Sequence, residues 1–162
     1  MPCRDAARSV ITGPRRSTCG GGGYSCVVSD REQLSGGATA DAAGLLVPRA
    51  PKSIALVRRY AVDACIRFGW HDSADTVALL SSEVATNAVL HAHGDNVRVR
   101  VIDLGMRLRV MVIDGSQELP IPRQAPAGAE GGRGLALVEA LAAEWGVDVL
   151  PDGKRLWFEI GL

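Results

Sequence analysis

The 162-residue sequence has no net charge, no long apolar run and no paired cysteines, and each absence removes a class of function. Lysine plus arginine equals aspartate plus glutamate at 18 each, so no overall basic field gathers nucleic acid or anionic lipid without specificity. A direct nucleic-acid partner is not expected. No stretch approaches the roughly 18 consecutive apolar residues of a membrane span, and the first residues carry scattered arginines rather than a signal-peptide core. The expectation is a soluble, cytoplasmic protein without a membrane partner. The four cysteines, Cys3, Cys19, Cys26 and Cys65, include no Cys-x-x-Cys pair. Their spacing is too irregular for a zinc site or a disulfide framework. The run "TCGGGG" precedes no Gly-Lys-Ser/Thr and follows no strand, so it reads as linker rather than a phosphate loop.

What is present suffices for one domain. Apolar residues make up 47% of the chain, enough for one core of ordinary size and too few residues for two comfortable domains. Residues 1–43 are rich in Gly, Ser, Ala and Arg without sustained periodicity, so they read as a flexible tail. The domain is expected over 44–162.

Periodicity predicts its elements. Leu45 to Val47 reads as a short edge strand ended by Pro48. Ile54, Val57, Ala61, Cys65 and Phe68 mark an amphipathic helix stopping near Gly69. Asp72 or Ser73 caps a second helix, with Asp75 in its first turn and Val77, Leu80, Val84, Ala88 and His91 as its buried stripe. In "VRVRVIDLGMRLRVMVID" a turn at Leu104-Gly105 pairs Val101 with Leu108, Val99 with Val110 and Val97 with Val112, all on one face. The same register gathers Arg98, Arg100, Arg107 and Arg109 on the other face, as a solvated surface or a contact for an acidic partner. A helix over 133–144 follows, through Leu135, Val138, Leu141 and Ala142. Asp152-Gly153 then signals a second hairpin, with Trp145 and Trp157 closing it against the last helix. Helices with one apolar stripe beside a sheet with one apolar face pack as two layers. The predicted fold is α+β: a two-layer α/β sandwich whose mixed, mainly antiparallel sheet carries helices on one face.

Candidate functional residues stand where this pattern is interrupted. At about 100° per residue, Asn87 falls about 40° and Leu80 about 60° from Glu83, so the acid and the amide border the buried stripe. Polar groups at that boundary need partners, from a ligand or from a core-edge network. Asp114 ends an apolar strand and opens a loop longer than the roughly 12–15 residues that compact domains tolerate without function. That strand-end carboxylate suits a turn residue or an acceptor for a ligand amino group. The loop reads as a lid ending in Gly131, Gly132 and Gly134, where backbone amides and a helix N-terminus can approach negative charge. His91, His93 and Asp95 imitate a metal cluster, but a His-x-His pair near a helix end points its rings to different sides.

Taken in chain order, "SSEVATNAVLHA", "VIDGS", "GGRGLALVEALAAEWGV" and "GKRLWFEI" resemble the ATP-binding domain of the gyrase, chaperone and sensor-histidine-kinase superfamily, the GHKL or Bergerat fold. Within it the sequence is most similar to the stand-alone anti-sigma-factor serine/threonine kinases, over roughly residues 45–162. The resemblance implies ATP and Mg²⁺ as cofactors, with Asn87 coordinating the Mg²⁺ and Glu83 as the catalytic base. It assigns the adenine amino group to Asp114, places Ser116 beside the base, and frames the phosphates with Gly132, Arg133, Gly134 and Leu135. It also implies two partners, an anti-sigma-factor antagonist to be phosphorylated and a sigma factor to be sequestered, and suggests a homodimer. Two features depart from the wider superfamily: Ser116 stands where many relatives have glycine, and "GKR" replaces the Gly-Thr common in histidine kinases. A complete sensor kinase is not expected. A nucleotide-gated protein-binding module with little or no kinase activity is the alternative reading.

Overall fold

The computed structural model describes residues 8–12, 39–40, 44–119 and 134–161. In chain order the elements are β1 (Arg8–Thr12), β2 (Thr39–Ala40), β3 (Leu45–Pro48), α1 (Ser53–Arg67), α2 (Ala74–His91), β4 (Asn96–Asp103), β5 (Arg107–Asp114), α3 (Gly134–Leu141), β6 (Glu144–Leu150) and β7 (Gly153–Gly161). The strands form one sheet in the order β1-β6-β7-β5-β4-β2, and β3 pairs with the other end of β4. Helices cover one face, as expected of a two-layer α+β sandwich. The sheet is not mixed, because every pairing among the described residues is antiparallel.

Alternation builds the helix-facing side of the sheet. Val97, Val99, Val101, Leu108, Val110 and Val112 are buried on β4 and β5, and Val147, Leu156 and Phe158 continue the layer on β6 and β7. Val57, Ala61, Ala64 and Cys65 of α1 and Val77, Leu80, Val84 and Ala88 of α2 meet them in one cluster. Each fully buried Val or Leu contributes about 1.5–3 kcal/mol, so this layer supplies the main driving force for folding. Cys65 sits inside it, its Sγ donating to the Trp70 carbonyl at 3.0 Å.

Several local expectations needed correction. The first hairpin pairs Val101 with Val110 and Val99 with Val112, two residues out of the expected register. Its central residues are Gly105 and Met106 rather than Leu104 and Gly105: Gly105 takes φ +84 at the first central position, where a left-handed conformation is needed. A slip of two leaves every valine on its original face. In the second hairpin Leu150 pairs with Gly153, so Pro151-Asp152 forms the turn and Gly153 is already strand. The last helix ends at Leu141, short of residue 144, because Ala143 donates to the Glu159 carbonyl and Glu144 enters the pairing with β7. Leu141 and His91 are exposed instead of buried. A single 3-10 turn, His71–Ser73, precedes α2, and Ser73 makes no side-chain capping bond. Two short strands, β1 and β2, lie within the expected tail, pairing with β6 and β4 at opposite edges of the sheet. The rest of that segment, with Cys3, Cys19, Cys26 and the "TCGGGG" run, lies outside the described residues.

The outer face of the sheet differs most from the arginine-rich surface expected of it. Glu159, only 3% exposed, accepts from Arg107 at 2.8 Å and from Arg109, while Arg107 also reaches Glu144 at 2.7 Å. The hydrogen bond to Glu159, then that to Glu144, holds the Arg107 guanidinium above its usual pKa. Trp157 belongs to this face rather than to the helix layer: it clusters with Ile102 and Met111, and the Arg109 guanidinium stacks 4.3 Å from its ring centre.

Candidate functional site

The α2 helix carries Glu83 and Asn87 one turn apart on the margin of its buried stripe. Both are half-buried, and neither has a hydrogen-bond or ion-pair partner among the described residues. A carboxylate and an amide partly withdrawn from water without partners cost free energy unless something binds them. Gly134, the first residue of α3, lies directly against the acid. A Cβ at Gly134 would stand 2.7 Å from Glu83 Oε2, so absence of a side chain there lets the start of α3 close over the carboxylate. Leu135, 8% exposed, anchors that helix start in the core.

Asp114 sits at the end of β5, on the helix-facing side of the sheet. Its carboxylate is buried, and Oδ1 accepts the Ser116 amide at 2.8 Å and the Lys154 ammonium at 3.0 Å. Oδ2 accepts nothing from the described residues. Ser116, itself fully buried, accepts from the Glu118 amide through Oγ at 3.2 Å and so turns the chain away from the strand. Gly153 makes this corner feasible. Its ideal Cβ would lie 1.9 Å from the Asp114 carbonyl oxygen, closer than any side chain permits.

Burial of Leu80, Val84 and Ala88 against Val110 and Val112 sets α2 across β5. The chain leaving α2 then reaches the Asp114 corner, where a Cβ on Gly115 would meet the His93 carbonyl oxygen at 2.5 Å. Arg49 pins this exit, donating to the Val89 carbonyl at 3.2 Å and the Gly94 carbonyl at 2.7 Å. Asp114 therefore stands next to the C-terminal exit of α2, while Gly134 lies against Glu83 further back along the same helix. An open cleft of about 480 Å³ adjoins the lower end, lined by His93, Gly115, Gln117, Glu118 and Asp152. Glu83, Gly134 and Leu135 thus come together, as do Asp114 and Ser116. Gly132 and Arg133 lie outside the described residues, as does the expected lid loop apart from residues 115–119 and Gly134.

Residues 47–160 match the sequence pattern of the histidine kinase-like ATPase domain. The chain belongs to that family. Domains of this GHKL type bind ATP, typically with Mg²⁺. A comparison with curated proteins finds no match that would narrow the activity further. Among the described residues of this ATPase domain, no helix is long and apolar enough to cross a membrane.

One residue of the site escaped the sequence reading. Lys154, whose side chain is 1% exposed, is the buried partner of Asp114. The signal was available in the alternation: Lys154 is in phase with Leu156, Phe158 and Ile160, which places a charge on the apolar face of β7.

Proposed function

We propose that this ATPase-family domain is an ATP- and Mg²⁺-binding regulator that acts as a serine/threonine kinase of the anti-sigma-factor type. In this reading it phosphorylates a small antagonist protein and sequesters a sigma factor. The observation that carries the catalytic part is the Glu83 carboxylate, one turn from the Asn87 amide, both without a partner among the described residues, with Gly134 lying against the acid.

These residues fit a magnesium nucleotide. Mg²⁺ keeps most of its waters and takes its remaining ligands from phosphates, so one amide oxygen from Asn87 is a sufficient protein contribution. Bound MgATP supplies the transferable phosphoryl group. Asn87 would hold the metal, and Gly134, with Gly132 and Arg133 before it, would let backbone amides close on phosphate charge. Asp114 Oδ2, which accepts no hydrogen bond among the described residues, would take an amino group of the base, with Ser116 as a neighbour. Glu83 would accept the proton of the attacking hydroxyl, a role worth typically 10²–10⁴ in rate.

Incubation with labelled ATP and candidate antagonist proteins tests the reading. The wild type should transfer phosphate, whereas Glu83→Ala should bind nucleotide within about threefold of wild type and lose at least about 100-fold in transfer. Equal transfer by both proteins would remove Glu83 from the chemistry. Nucleotide-dependent partner binding without transfer would instead favour a nucleotide-gated binding module.

A further inference from the structure

The Asp114–Lys154 ion pair is costlier than stability alone accounts for. Both side chains are almost wholly buried, at 3% and 1% exposure, and Asp114 Oδ1 is the one acceptor the Lys154 ammonium finds among the described residues. Burying two charges with so few hydrogen bonds is commonly no better than an apolar pair of the same volume. The pair lies directly across β5 and β7, and the close approach permitted by Gly153 brings the two strands together there. Lys154 and the Ser116 amide converge on a single oxygen, Oδ1. A carboxylate is an acceptor on both oxygens, so clamping Oδ1 fixes the plane of the group and leaves Oδ2 as its remaining acceptor.

We propose that Lys154 is a positioning residue for base recognition: by clamping Asp114 Oδ1 it presents Oδ2 as a fixed acceptor, selecting a purine with an exocyclic amino group. The inference rests on the reading of this site as an ATP pocket. Without the ammonium, the carboxylate can exchange its oxygens between Ser116 and the pocket, and the acceptor position is no longer fixed.

The test compares ATP with purine riboside triphosphate, which lacks only the amino group, by calorimetric titration in the presence of Mg²⁺. The wild type should bind ATP about tenfold or more tightly than the analogue, the size expected for a hydrogen bond to a charged acceptor. Lys154→Met and Lys154→Gln should bring the two affinities within about threefold by weakening ATP and leaving the analogue within about twofold. Lys154→Arg, which keeps the charge and its donors, should restore the preference. A loosened fold would weaken both ligands together, and urea unfolding of each variant checks this directly. Should Lys154→Met fail to fold, Lys154→Gln carries the comparison. A folded Met or Gln variant with the wild-type preference overturns the proposal. If the wild type binds both ligands equally, this inference falls together with the amino-group role given to Asp114, and the ATP pocket itself stands; if it binds neither, the ATP-pocket reading falls first.

Discussion

Adding one methyl group at Gly134 should separate the chemistry of this domain from its folding. In Gly134→Ala the new Cβ would lie 2.7 Å from Glu83 Oε2, 3.3 Å from Glu83 Cβ and 3.6 Å from Cδ. The tightest contact is with the far end of a flexible side chain, so the carboxylate turns aside, while the 3.3 Å contact with Glu83 Cβ asks the two helices to give by a few tenths of an ångström. A side chain about 30° off its rotamer costs about 0.5–1.5 kcal/mol. Alanine in place of glycine in a helix returns about 0.5–1 kcal/mol. Net stability should therefore change by less than about 1 kcal/mol, a shift of a few degrees in Tm. Catalysis has no such compensation, since a misplacement of about 1 Å can cost about 100-fold. Phosphate transfer from labelled ATP should fall about 10- to 100-fold, while titrated ATP affinity stays within about threefold. Wild-type transfer in the folded variant would refute the reasoning, because Glu83 would then be displaced without consequence.

Two further perturbations probe the frame around the site. Gly153→Ala places a Cβ 1.9 Å from the Asp114 carbonyl oxygen, and backbone cannot yield as a side chain does. Overpacking of this kind costs typically about 1–3 kcal/mol, so the urea midpoint should drop by that equivalent and ATP affinity with it; an unchanged midpoint would show that the β5–β7 contact is looser than described. Burial pushes the Cys65 thiol above its ordinary value of 9.0. The folded protein then holds this proton where the unfolded chain releases it, so the contribution is complete below pH 9.0 and declines as pH rises toward the folded value. Wild type should lose up to about 1.4 kcal/mol more per pH unit than Cys65→Ala above that point. Parallel stability curves for the two proteins between pH 8 and pH 10 would contradict it.

The helices were legible because a 3.6-residue period has one solution: Val57, Ala61 and Cys65, or Val77, Leu80 and Val84, can share a face in no other way. The polar edge at Glu83 and Asn87 followed from the same geometry. Hairpin register was less legible, since a slip of two keeps Val97, Val99 and Val101 inward and leaves the pattern unchanged. The decision fell to Gly105, whose backbone suits the first central turn position. Gly153 shows a different ambiguity, as its usual turn signal concealed a need for close backbone approach. Trp157 was misplaced because "LWFEI" is nearly all apolar, and only its neighbours' alternation tells inner from outer face. Lys154 was passed over because a lone lysine reads as surface. Its burial depends on Asp114, 40 residues earlier, and local pattern does not carry such pairings.

The proposed nucleotide site is tested most directly by calorimetric titration of ATP into wild type and Asn87→Ala, with Mg²⁺ and with chelator. Wild type should bind at least about tenfold more tightly with Mg²⁺, while Asn87→Ala, still folded, should lose that dependence. Equal affinities for the two proteins under both conditions would contradict a nucleotide site built on this edge of α2.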